Sequence, residues 1–202
     1  EPMLLTMLGV GLAGLYLAMR QPDQAADAVE RTLQRYPRFW YARLNRGQAL
    51  EQLGRHQEAL QDFIDAERTT PDNFMVVAAV VGALAATGDV REARRRVVEA
   101  ERLARSTFVP AVDLGLMRIA LGDIDVAFDW LRQSCDIREP RLMGIGSHPG
   151  VDPIRKDPRF TELLACVGLL AAGLIWTAAS RSVPDLPSPM KTWEDSKLYV
   201  LE

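Results

Sequence analysis

Lysine is scarce in this chain of 202 residues: three lysines stand against 21 arginines. Asp and Glu still outnumber the two basic types together, 27 to 24, for a net charge of −3. That balance lacks the basic excess of a nucleic-acid binder. There are only two histidines, His56 and His148. No paired histidines suggest zinc, and acid–base chemistry has few bearers. Cys135 and Cys166 are the only cysteines and have no metal-ligand spacing, so both are expected to be reduced, buried and inert. What the chain does have is carbon: 48% of its residues are hydrophobic, ample for a core in one or two domains. It begins Glu-Pro rather than Met, which reads as a fragment or a processed chain. The arginine bias suggests a GC-rich genome and says nothing of mechanism.

The most ordered stretch is Trp40 to Asn73. It reads as two amphipathic helices, Phe39–Leu53 and His56–Arg68, broken by Gly54 and ended by Pro71. Gly47 and Ala59 are small where two helices must come close, and Phe63 is large where the gap widens. Steps of 34 residues carry the small positions along the chain. Ala59 and Pro71 lead back to Ala25 and Pro37. Gly54, Ala59 and Ala66 lead forward to Gly88, Ala93 and Ala100, then to Gly122 and Ala127. Four ungapped units follow: 6–39, 40–73, 74–107 and 108–141. Arg20 stands where the first turn glycine would fall, and Arg105 where the third proline would.

On these residues the chain resembles the tetratricopeptide repeat family, whose unit is a helix–turn–helix with a W-x2-L-G-x2-Y, A-x3-F, P pattern. It departs at Arg43 and Arg46, where Trp and Leu are usual, and at Leu50, where Tyr is. The resemblance implies an all-α, right-handed α-solenoid of about four hairpins. Val151 to Leu169 (VDPIRKDPRFTELLACVGL) is similar to the ending of many bacterial arrays of this family and implies a C-terminal cap, with Asp157 and Pro158 opening a short helix. Residues 1–169 are thus read as the array with its cap, and 170–202 as an apolar, proline-rich tail.

Three readings compete for Met3–Met19. As a membrane span its apolar run lies at the lower edge of the usual ~17–25 residues. Gly9 to Gly14 also spells a dinucleotide-binding G-x-G-x-x-G, which needs a preceding strand and a βαβ unit. The first helix of a repeat, in register with the others, is preferred to both. Phe74–Thr87 carries no charge, and a helix apolar all round is buried all round; the family lines its concave side with such first helices, so something is expected to cover that side. Its partner, Val90–Ser106, interleaves arginines with glutamates and reads as a solvated outer face laced with ion pairs. The sharper alternative is a docking surface for an acidic partner. Asp123 is placed to cap the helix that follows Gly122.

The resemblance implies a protein-interaction scaffold without enzymatic activity, cofactor or metal, expected in the cytoplasm. In the family's carboxylate-clamp domains Lys, Arg and Asn hold a peptide's C-terminus. The matching positions here are Val10 and Gly14, Leu44 and Gln48, Ala78 and Gly82, Val112 and Leu116, so that clamp is absent. With Met7, Leu17, Tyr41, Met75, Ala85, Val109 and Ile119, and with Glu51 nearby, they predict a mostly apolar partner-binding groove. Much of this lining reads equally well as inter-repeat core. The occupant is a partner's apolar helix or peptide, or the chain's own tail, folded back or exchanged in a homodimer. The alternative role is a sensory or regulatory segment of a larger signalling enzyme or transcription regulator. His56 and His148 read as structural, and Asp152 and Asp157 as caps rather than acid–base partners.

Overall fold

The computed structural model describes residues 2–168, with side chains from Thr6 onward. Eight helices run in antiparallel pairs: α1 Pro2–Ala18 with α2 Pro22–Arg35, α3 Trp40–Gln52 with α4 His56–Glu67, α5 Phe74–Ala86 with α6 Val90–Leu103, and α7 Ala111–Ala120 with α8 Ile124–Asp136. Two 3₁₀ segments follow, Pro140–Ser147 and Pro149–Ile154, and then a last helix, α9, over 158–168. Successive hairpins stack in chain order as an α-solenoid, as expected from the 34-residue step. No strand occurs among the described residues, so the G-x-G-x-x-G run, which lies inside α1, lacks the context a dinucleotide site needs. No described helix is long and apolar enough to cross a membrane. The tail from 170 onward, with the groove-filling and homodimer roles expected of it, lies outside the described residues.

One turn closes each hairpin. Gly54, Gly88 and Gly122 have φ of 73°, 93° and 77°, the left-handed region glycine enters freely. Arg20 adopts the same conformation at φ 59°, though a Cβ there costs roughly 1–2 kcal/mol. The backbone bond is common to all four: Gln21 N–H donates to Tyr16 O, Arg55 to Leu50, Asp89 to Leu84 and Asp123 to Arg118, at 2.8–3.0 Å. The geometry is thus set by the closure, and glycine only makes it cheap.

In two hairpins the helices nest through a glycine set against a large side chain. A Cβ on Gly47 would fall 2.3 Å from the Phe63 ring, and one on Gly115 would fall 2.9 Å from Leu131. At the equivalent positions the first hairpin has Ala13 and Val29, and the third Val81 and Val97, all fully buried. Small thus faces large, or medium faces medium, at one recurring place. Ala25, Ala59, Ala93 and Ala127 are likewise wholly buried.

Local departures have local causes. Arg43 and Arg46 both grip Asp62, which is buried at 4% side-chain exposure. Arg43 Nη1 lies 2.8 Å from Oδ1, and Arg46 Nε and Nη2 each donate at 2.6 Å. An ion-pair cluster stands where the resemblance led one to expect Trp and Leu. Helix α7 starts at Ala111, later than the period predicts, because Pro110 occupies its N-cap position. Asp123 sits at the N-cap of α8 but makes no cap bond; its carboxylate accepts from Arg118 instead, at 2.8 Å. On α6 the expected ion pairs form, Glu92 with Arg95 and Arg96 and Glu99 with Arg102.

The segment after α8 packs against the fourth hairpin. Leu142, Ile145, Val151, Ile154, Phe160 and Leu163 bury themselves against Val112, Leu116 and Ile119 of α7 and Phe128 and Leu131 of α8. Asp157 caps α9, accepting from Arg159 N–H at 3.0 Å, and the Arg159 guanidinium lies 4.1 Å over the Phe128 ring. Cys135 and Cys166 are joined as a disulfide across α8 and α9, with Cα atoms 6.5 Å apart. This corrects the expectation of two reduced thiols: the cap's fold brings within bonding range two residues whose spacing in sequence carried no signal.

Gly47→Ala is expected to cost about 1–3 kcal/mol by overpacking. Pairing it with Phe63→Val is expected to recover at least about 1 kcal/mol relative to the sum of the single changes. Denaturant unfolding of the two single variants and the double variant measures both.

Candidate functional site

The inner helices α3, α5 and α7 share one concave side. A cavity of about 680 Å³ opens there. Its floor is α5 (Met75, Ala78, Ala79, Gly82, Ala83, Ala85 and Ala86), flanked by Gln48, Glu51 and Gln52 of α3 and by Asp113, Leu116, Ile119 and Ala120 of α7. Arg20 and Pro22 from the first hairpin's turn stand on one rim, and His148, Pro149, Gly150, Asp152 and Pro153 on the other. The rims meet: Arg20 Nη2 donates to Asp152 Oδ1 at 2.5 Å, joining residues 132 apart in sequence. The cover expected over the uncharged α5 is therefore supplied in part by the cap segment. Every residue of α5 but Ala86 is buried or half-buried.

Of the groove positions read from sequence, Gln48, Met75, Ala78, Gly82, Ala85, Leu116 and Ile119 line this cavity. Val10, Leu17, Leu44 and Val112 are buried in the core between hairpins. Tyr41 is half-buried, its ring 5.2 Å from that of Trp40. Gly14 is half-buried with open space beside it, Met7 is exposed, and Val109 lines a separate hollow between α6, α7 and α8.

Polar groups in the wall were mostly not anticipated. Asp113 is completely buried; its Oδ1 accepts from Arg141 Nη2 at 2.8 Å, and its Oδ2 has no partner among the described residues. Burial pushes its carboxyl up to about 6, with Glu139 adding to the rise and Arg141 opposing it. Glu51 is raised too, by burial against the opposing pull of His56, whose Nδ1 sits 2.9 Å from Oε2; its Oε1 is unpartnered among the described residues. His148 is lowered to about 4, by burial and then by Arg141, so it is neutral at pH 7. Its Nδ1 accepts from Gly150 N–H at 3.0 Å, and the neighbouring Ser147 hydroxyl donates to Gly144 O at 3.1 Å. Neither is disposed as a nucleophile with its base. Asp152, read as a cap, is instead the acceptor shared by Arg20 and Arg155.

A signal for Asp113 was present, since it is the one acid in the apolar run AVDLGLM. Arg141, His148 and Asp152 had none, because a loop brings them to the cavity from far along the chain.

An acid whose folded pKa is raised favours folding fully below its ordinary value and loses that contribution as pH rises through the folded value. From an ordinary 3.8 to about 6 this amounts to about 3 kcal/mol for Asp113. The stability of Asp113→Asn relative to the unsubstituted chain is therefore expected to grow by about 2–3 kcal/mol between pH 4 and pH 7. Urea unfolding across that range checks it.

No curated protein matches the chain. The family model described as Tetratricopeptide repeat matches residues 10–74, from within α1 to the first residue of α5, and the paired-helix architecture of that stretch continues through α8.

Proposed function

We propose that this chain is a protein-interaction module that receives an apolar segment of a partner in its concave cavity. Tetratricopeptide repeats generally mediate protein–protein interaction. The observation that carries the reading is the floor of α5, where Ala78, Ala79, Gly82 and Ala83 leave room for another backbone to come close. A Cβ on Gly82 would meet nothing within 4 Å. The size of the space selects among occupants. A helix with its side chains is ~10–12 Å wide, so 680 Å³ holds only about one to two turns of one. An extended segment fits better than the apolar helix also considered. Burying its side chains contributes about 25 cal/mol per Å² of apolar area. The work done is binding and positioning, without covalent chemistry.

Gly82→Trp fills the cavity, whereas Arg102→Ala alters only the outer face. A randomised library of apolar decapeptides is expected to be retained at least tenfold less by full-length Gly82→Trp than by the unsubstituted chain, and unchanged by Arg102→Ala. Equal retention by all three proteins contradicts the reading.

A further inference from the structure

The first hairpin leaves one apolar face uncovered among the described residues. Leu8, Leu12 and Leu15 of α1, with Met19 just past its end, are 47–63% exposed. Their spacing of four, three and four residues makes one seam along the helix. Val10, Ala13 and Leu17 lie on the opposite side, buried toward α2 and α3. No residue of α1 carries a charge.

The same register positions one period later, Ala42 and Ala49, are fully buried in a cluster shared with the first hairpin. Val80 and Ala83 of α5 and Leu114 and Met117 of α7 are buried likewise, and the α7 pair joins the core of the hairpin before it rather than the one shared with the cap. The exposed seam of α1 is therefore the surface by which each later hairpin stacks on its predecessor. A terminal repeat ordinarily turns a polar face outward. Here α1 turns carbon outward, on a face shaped for a helical neighbour.

We propose that this neighbour is a second copy of the chain, the two α1 helices packing antiparallel across a two-fold axis beside Gly11 and Leu12. Self-complementarity carries the choice of occupant. About such an axis Leu8 of one copy meets Leu15 of the other, and Leu12 meets Gly11. A Cβ on Gly11 would meet nothing within 4 Å, so the leucine has room. The contact is of the large-against-small kind that Phe63 and Gly47 make inside the second hairpin. With no charge on either helix, the pairing opposes no like charges. Both copies cover their seams at once, as an isologous interface does.

Sedimentation equilibrium of the full chain is expected to show a dimer at micromolar concentrations. Leu12→Glu puts a charge on the exposed seam and is expected to weaken dimerisation at least tenfold. Val98→Glu, similarly exposed on α6, is expected to change it less than twofold. In an equal mixture of Leu8→Cys and Leu15→Cys chains, air oxidation is expected to give the mixed disulfide at least fivefold over either self-disulfide, read by intact mass. A dimer that Leu12→Glu leaves unchanged overturns the assignment of this face, and self-disulfides as abundant as the mixed one overturn the antiparallel pairing. A monomer throughout overturns the proposal; its binding to phosphatidylcholine vesicles, lost in Leu12→Glu, would give the face to a membrane surface instead.

Discussion

The structure depends on how closely two helices of one hairpin approach. Where Gly47 meets the Phe63 ring there is no space for a methyl group, and Gly115 repeats the contact with Leu131. Val81 with Val97, and Ala13 with Val29, fill the same position with intermediate volumes. The buried residues at these equivalent positions give the four hairpins a common pattern. Equal shapes stack with a constant offset, and a constant offset generates a curved wall. A hairpin alone buries one face only, so each helix pair also relies on the next for its core.

Curvature brings distant parts together. The first turn and the cap meet at Arg20 and Asp152, two side chains each more than a third exposed. Such a pair is worth at most about 1 kcal/mol, so the rims touch without being locked. Inside, the floor of α5 is built of alanine and glycine, and that smallness leaves the cavity open. The charge left over at Asp113 is a cost the fold carries at neutral pH.

The hairpins were legible because sterics repeat. The small residues and turn glycines recur at one interval, and helix limits followed within a few residues. Where the reading slipped, a single residue intervened. Pro110 delayed α7, and Arg118 drew the Asp123 carboxylate away from its cap role. Arg20 shows the limit of reading glycine as a turn marker, since the backbone bond from Gln21 to Tyr16 enforces the left-handed conformation without it. The polar half of the site was not legible. Arg141, His148 and Asp152 reach the cavity through 3₁₀ segments whose course no period describes, and the same segments bring Cys166 to Cys135. Several groove positions inferred from the resemblance, Leu44 and Val112 among them, are core because stacking consumes part of every inner helix.

The curvature that closes the array is tested most directly by cross-linking. With cysteines placed at Arg20 and Asp152 in the full chain and treated with a short bismaleimide, an intramolecular cross-link is expected at dilute protein, read as one monomeric species by peptide mass mapping. A chain that yields only intermolecular products or singly modified cysteines would show that the first turn and the cap do not meet, and that the inner wall is open rather than curved back on itself.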